Sequence, residues 1–304
     1  MRNKRMNRTQ TAIILTALMI SGTAFADLNK GLVAHWNFDD CSANDVSGNQ
    51  HNGNKNGTQC VQGLTGKALD FNGTSDYVEI PSDQNLSNFT DITLSVWAYR
   101  KGESNDTQGI VTKWYQYAPN SASEINQDTY ALILDNGFLV GGTNNYVFSN
   151  LVSKNKAPLN KWFHIVFTHS NVNGGKLYVN GILKGSVNIG GVIVPSSNPI
   201  ILGADNNFGT IWRFFQGTID DARLYNRILS KAEIRQLYRI NQQIAGSSEG
   251  YTSLNVTCSN KTTGKEITFI STNTTTSSWN CEQKGLVVNP GDQVNTILSG
   301  KAHQ

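Results

Sequence analysis

The stretch Phe215 to Tyr238, FQGTIDDARLYNRILSKAEIRQLY, runs a strand pattern, an acidic pair and a capped helix together with no loop between them. Whatever this chain folds into must supply one surface for both periods. Gly217-Thr218 reads as an entry turn, and Ile219 to Tyr225 then alternates, with Ala222 and Leu224 on one face and Asp221, Arg223 and Tyr225 on the other. Ser230-Lys231-Ala232-Glu233 has the form of a capping box, in which hydroxyl and carboxylate each satisfy the other residue's backbone N–H. Ile234, Leu237, Tyr238 and Asn241 follow at helical spacing and predict a helix laid on the sheet to which the strand belongs. In a regular strand Asp220 and Asp221 point to opposite faces, which excludes them as a facing catalytic pair.

Upstream, strand packets recur with Gly and Asn between them. Leu32 to Phe38 opens the series, and Asp45 to Gly53 is rich in residues that turn the chain. Lys67 to Pro81 reads as two strands about Asn72-Gly73, a hairpin signal. Ile92 to Tyr99 alternates, with Ile92, Leu94, Val96 and Ala98 on one side. Tyr130 to Leu134 and Phe138 to Val140 pair across Asp135-Asn136-Gly137. Trp162 to His169 is a further strand, and Leu177 to Leu183 is a hairpin tipped by Asn180-Gly181. One helix among so many strands predicts an all-β, two-sheet antiparallel sandwich with one C-terminal helix.

Residues 1–26 read as a signal peptide. Arg2, Lys4, Arg5 and Arg8 form a basic start, an apolar run of about ten residues follows, and Ala24-Phe25-Ala26 supplies a cleavage signature. That run is too short to span a bilayer, for which ~20 residues are needed. Its removal leaves 25 − 4 = 21 Lys+Arg against 22 Asp+Glu. A balance near −1 gives no reason to expect nucleic acid or an anionic membrane as partner. The expected location is secreted, periplasmic or cell-surface. The four cysteines fall into two local pairs, so an oxidising compartment predicts Cys41–Cys60 and Cys258–Cys281 as disulfides.

The organisation expected is a main domain over 27–245, a small-polar linker over 246–250 and a β-module over 251–304. Strand packets in that module fall at Leu254 to Cys258, Glu266 to Ile270 and Leu286 to Val288. A unit of this size needs a staple, which Cys258–Cys281 would provide.

Seven motifs together, among them Trp36-Asn37-Phe38-Asp39-Asp40, Gly66-Lys67-Ala68-Leu69-Asp70-Phe71-Asn72-Gly73, Thr93-Leu94-Ser95-Val96-Trp97, Trp162-x-His164 and Gly217-Thr218-Ile219-Asp220-Asp221-Ala222-Arg223-Leu224-Tyr225, resemble a laminin-G-like domain of the concanavalin A-like lectin/glucanase superfamily. The resemblance covers roughly Leu28 to Tyr238. It implies a jelly-roll sandwich, a structural calcium ion, and glycans or extracellular proteins as partners. Carried across, the calcium ligands are Asp39, the Gly73 carbonyl and Asp220. The alternative is that Asp39 and Asp220 cap turns or pair with Arg223. A rival oxygen cluster, Asp45, Ser47 and Asn49, reads as an Asx-turn.

Catalysis is not expected. The Glu-x-Asp-x-x-Glu run of the retaining glucanases is absent, the Gly-x-Ser-x-Gly spacing of Gly246 to Gly250 falls in the small-polar linker and not at a strand-to-helix elbow, and His164 reads as a packing or hydrogen-bonding residue. Binding needs aromatic platforms for sugar C–H faces. Trp114, Tyr115, Tyr117, Tyr146 and Trp212 stand in polar segments and are the candidates for a binding rim. The function expected is a noncatalytic carbohydrate-binding or adhesive module. A structural or protein-interaction component without a glycan site is the alternative, and a polysaccharide hydrolase the third.

Overall fold

The computed structural model describes residues 27–104, 106–114, 129–143, 151–188, 190–207, 209–246, 251–260, 265–271 and 294–302. In chain order the strands are β1 (Leu32–Trp36), β2 (Asn54–Asn56), β3 (Gln59–Gln62), β4 (Lys67–Asn72), β5 (Tyr77–Ile80), β6 (Asp91–Arg100), β7 (Gln108–Lys113), β8 (Tyr130–Asp135), β9 (Phe138–Gly142) and β10 (Val152–Lys156). They continue as β11 (Trp162–Ser170), β12 (Gly174–Val179), β13 (Ile182–Val187), β14 (Ile200–Leu202), β15 (Asp205–Asn207), β16 (Thr210–Trp212) and β17 (Gln216–Tyr225). Helix α1 (Lys231–Gly246) follows, then β18 (Tyr251–Asn260), β19 (Lys265–Ser271) and β20 (Val294–Ala302).

Two large antiparallel sheets form a jelly-roll sandwich. One runs β13-β12-β11-β6-β17-β4-β3 with β1 also on β17, and the other runs β10-β9-β8-β7-β14-β5-β2. Their inner faces share one core: Leu94, Val96 and Ala98 of β6 meet residues such as Leu132 and Leu134 of β8. The alternation expected for β6 is therefore present. The turn chemistry expected at Asn136-Gly137 and Asn180-Gly181 is present too, each Asn and Gly holding a positive φ where β8 meets β9 and β12 meets β13. Asn72-Gly73 differs. Strand β4 pairs with β3 and β17 while β5 pairs with β14 and β2, so this turn crosses between the two sheets and is no hairpin. Both strands bury alternate side chains in the common core, Leu69 and Phe71 from one sheet and Val78 and Ile80 from the other, which favours the crossing over mutual pairing. Central strand β7 and the β15–β16 hairpin lie in segments for which the sequence pattern predicts no strand.

The outer face of the first sheet is covered by α1. Ile234 and Leu237 pack with Val166, Tyr178, Tyr225 and Leu229, each buried aliphatic side chain contributing about 2 kcal/mol. The capping box closes as the sequence requires: Ser230 N donates to Glu233 Oε2 at 2.7 Å and Glu233 N donates to Ser230 Oγ at 3.3 Å. Arg227 Nη2 donates to the other Glu233 oxygen at 2.6 Å.

Cys41 and Cys60 are bonded, tying the turn after β1 to β3 across a separation of 19 residues. A loop of that size restricts the unfolded chain by about 3 kcal/mol. Strands β19-β18-β20 form a separate three-stranded sheet, so two of the three expected C-terminal packets are strands. Residues 1–26, the segment Leu286 to Val288, Cys281 and hence the second expected disulfide lie outside the described residues. Among the described residues no helix is long and apolar enough to cross a membrane.

Burial opposes ionisation of Glu233, but the hydrogen bonds from Arg227 and Ser230 outweigh it and hold the carboxyl down at about 2. The folded value is depressed, so the stability this group contributes is present above its unfolded value near 4.5 and is lost as pH falls towards 2. Ser230→Ala is expected to cost about 1 kcal/mol in urea unfolding at pH 7. Glu233→Gln should also destabilise at pH 7, with the difference from wild type shrinking as the pH is lowered.

Candidate functional site

The middle of β17 sets the geometry of the acidic residues. Ile219 and Ala222 both belong to the core although an unbroken alternation would place them on opposite faces. A β-bulge against β6 between Asp220 and Arg223 absorbs the difference, with Asp221 at φ +48°. The strand is thus not regular. Asp220, opposite Trp97, and Asp221, bonded to His35 and Arg223, both lie off the core side, which corrects the expectation that they diverge.

Asp220 is 2% exposed, and its Oδ2 accepts the Leu64 N–H at 3.1 Å. Three residues on, Lys67 N donates to Asp39 Oδ1 at 3.1 Å. The two predicted cation ligands therefore hold one turn, that between β3 and β4. Burial first, then the neighbouring Asp221 and Asp39 charges, push the Asp220 carboxyl well above the usual carboxylate range. Burial and the charges of Asp221 and Asp40 likewise raise Asp39 against its bond from Lys67. A cation at this turn would relieve both.

Gly73 does not join them. Its neighbour Asn72 is the register partner of Gln216, four residues from Asp220 on β17, about 13 Å along the strand. Among the described residues no three His, Cys, Asp or Glu side chains gather into a group that could hold a metal ion, so backbone oxygens would have to complete any site. The Thr65 carbonyl is placed for this: a Cβ on Gly63 would stand 2.9 Å from it and 2.6 Å from Asp220 Oδ2. Asp39 and Asp220, with backbone oxygens and without Gly73, are the residues of this turn that would hold a cation. Arg223 pairs with Asp221 at 2.9 Å, which is not the partner suggested for it in the alternative reading. Asp45 forms the expected Asx-turn, accepting Ser47 N at 2.8 Å.

A polar network continues across the outer face of the sheet. His35 Nε2 meets Asp221 Oδ1 at 2.6 Å, and burial, with Arg223 adding to it, lowers the His35 pKa against the pull of Asp221. Ser95 Oγ meets His164 Nε2 at 2.8 Å, a pairing with the look of a nucleophile and its base. Its surroundings do not suit that chemistry. His164 is 1% exposed, burial pushes its pKa down to about 3, and its Nδ1 has no hydrogen-bond partner among the described residues to orient the ring. Trp97, His164 and Tyr238 of α1 form one aromatic cluster, with ring centroids 5.1 Å apart for Trp97–His164, 5.6 Å for Trp97–Tyr238 and 6.3 Å for His164–Tyr238. His164 is the packing and hydrogen-bonding residue the sequence suggests.

Two of the five candidate aromatics can be placed; Tyr115, Tyr117 and Tyr146 lie outside the described residues. Trp114 packs on Ala131, Ile133 and Val140, on the outer face of the second sheet. Trp212 lies on β16, capped by the Arg213 guanidinium 4.0 Å above its ring. The Arg213 carbonyl meets Gly109 at the start of β7, whereas Trp114 follows the end of that strand, so the two indoles stand at opposite ends of β7 and do not share one platform. Sequence reasoning missed Arg213, whose role depends on a two-stranded hairpin not visible as a pattern.

Two antiparallel sheets packed face to face, one of them backed by a helix, define a concanavalin A-like sandwich. A family profile described as concanavalin A-like lectin/glucanases superfamily, of the third laminin-G type, matches residues 72–235, and the chain belongs to that family. No curated protein sequence matches it. Among solved structures it is similar to domain 4 of a GH43 extracellular arabinanase from Geobacillus stearothermophilus in complex with arabinotriose, at 23% identity and a TM-score of 0.53, over 68% of this chain and 98% of that one. It is similar to the botulinum neurotoxin serotype D binding domain at 18% identity and a TM-score of 0.56, over 76% of this chain and 58% of that one. It is also similar to Trypanosoma rangeli sialidase in complex with sialic acid, at 21% identity and a TM-score of 0.52, over 71% of this chain and 34% of that one. The chain thus spans about a third of the sialidase. These likenesses define the fold.

Asp205 fixes the hairpin that carries Trp212, its Oδ1 accepting Asn206 N at 2.8 Å and its Oδ2 facing Arg213 Nη1 at 3.3 Å. Burial raises its pKa to about 6 despite those bonds. A raised folded value means the stability it contributes is full below the unfolded value near 4 and is lost as pH rises through about 6. Asp205→Asn should remove that slope, so that the melting temperature of the variant relative to wild type rises between pH 4 and pH 7.

Proposed function

We propose that this chain is an exported, noncatalytic binding module whose ligand is a saccharide, acting in the periplasm, at the cell surface or outside the cell. The observation that carries this is the match to nearly the whole of a domain solved with arabinotriose, by a chain of the same superfamily. The disulfide and the N-terminal targeting pattern support export. The Ser95–His164 pair, sealed beneath Trp97 and held neutral, supports a role without turnover. Trp114 and Trp212, at opposite ends of β7, are proposed as contacts for sugar faces at two separate places, and Tyr115, Tyr117 and Tyr146 as further candidates.

A structural calcium belongs to the same proposal, held by Asp39 and Asp220 against the β3–β4 turn. Calcium takes six to eight oxygens, and two carboxylates with backbone carbonyls suit it better than they suit zinc. The ion would neutralise the charge that burial makes costly at Asp220.

A glycan array on the mature chain, run with calcium and with a chelator, tests the proposal. Binding to at least one saccharide class is expected, and silence across the array defeats the saccharide reading in favour of a protein partner. Calcium should raise the melting temperature of wild type and leave Asp220→Asn unmoved. An equal response in both proteins would remove Asp220 from the site.

A further inference from the structure

We propose that the open edge of the sandwich, where β10 of one sheet meets β13 of the other, is a binding cleft for a sugar ring that carries an anionic group. This rests on the saccharide-binding reading above and gives it a second site with a charge preference. The two edge strands approach closely: a Cβ on Gly185 of β13 would stand 3.1 Å from the Val152 carbonyl of β10. Beyond that contact they part around a cavity of about 210 Å³. Ligand pockets for drug-sized molecules begin near ~300 Å³, so this one suits a single ring.

The lining combines what an acidic sugar needs. Leu139 and Val179 reach it from the core side, and Ile182, 59% exposed, stands at its rim, giving apolar surface for a C–H face. Asn155 and Asn180 bring amides able to meet hydroxyls; Asn180 Oδ1 is already committed to the His164 N–H, which fixes the orientation of its group. Two lysines, Lys156 and Lys184, line the cavity and no Asp or Glu does. Lys184 has no ion pair or hydrogen bond from its ammonium among the described residues. Lys156 has only a 3.9 Å approach to Glu103, a carboxylate that Arg100 already holds at 2.8 Å. In a mature chain that is close to neutral, two cations on one small concave surface with no carboxylate in its wall make a local positive field. Such a field favours an anionic ligand over its neutral counterpart.

The cavity also suits a ligand better than a strand. Pairing on β10 is irregular against β9, and β13 carries a register shift against β12, so neither edge offers a straight ladder to an added strand.

The test is titration of the mature protein with methyl glucuronide, glucose 6-sulfate, methyl glucoside and inorganic sulfate, followed by amide chemical shifts at low salt. The two acidic sugars should bind at least tenfold more tightly than the glucoside and more tightly than sulfate, with shifts concentrated at β10 and β13. Lys184→Gln and Lys156→Gln should each weaken the acidic sugars several-fold while melting temperature stays at the wild-type value. Equal binding of glucuronide and glucoside, sulfate binding as tight as either sugar, or shifts confined elsewhere would each overturn the cleft. If array hits are neutral glycans insensitive to both lysine variants, this inference fails while the saccharide reading stands; if no glycan binds at all, that reading fails first.

Discussion

Strand β17 is the member on which the other elements depend. It hydrogen-bonds to β6 along its length, to β4 over its first half and to β1 over its second, and it leads into the helix that covers the sheet. A strand with so many partners cannot satisfy all of them in a regular pleat. The bulge at Asp220 and Asp221 is the adjustment, keeping Ile219 and then Ala222 and Leu224 in the core. Its consequence is two adjacent carboxylates on the outer side, close enough that each raises the cost of the other's charge.

The outer face of this sheet is then an unusual environment for polar groups. Helix α1 covers its apolar half, and the other half holds His35, Ser95, His164, Asp221 and Arg223 in bonds to one another. Within such a layer burial drives a titratable group towards neutrality. It does so at His164, and at His35 too, where the adjacent Asp221 opposes the shift without reversing it. Asp220 lacks an opposite charge in its immediate bonds and takes a backbone N–H, which leaves proton or cation as the means of relieving its burial.

The parts legible in the sequence are those set by neighbours along the chain. Ser230 and Glu233 announced the helix start, and Asn136-Gly137 and Asn180-Gly181 announced their hairpins, because capping and positive-φ turns are local chemistry. Asn72-Gly73 has the same local chemistry and a different role; whether a turn joins paired strands or crosses between sheets depends on partners far away. Strand β7 was not legible because it is buried along its whole length, so Gly109, Thr112 and Lys113 give it no alternation to recognise. The bulge in β17 arises from pairing with β6 and leaves no mark in Asp220-Asp221 themselves. The edge cleft is assembled from β9, β10, β12 and β13, and no segment of the chain shows its shape.

The fold is a two-sheet sandwich in which Ser95 and His164 lie buried beside Trp97. The superfamily contains sandwiches of both kinds, binders and hydrolases, so the fold leaves the choice to the side chains. The measurement that decides most directly is to incubate the mature protein with the strongest saccharide found to bind it, and to follow bound ligand and new reducing ends in the same sample. Saturable binding with the saccharide recovered intact over many hours is the result predicted. Release of new reducing ends in proportion to protein concentration would contradict it.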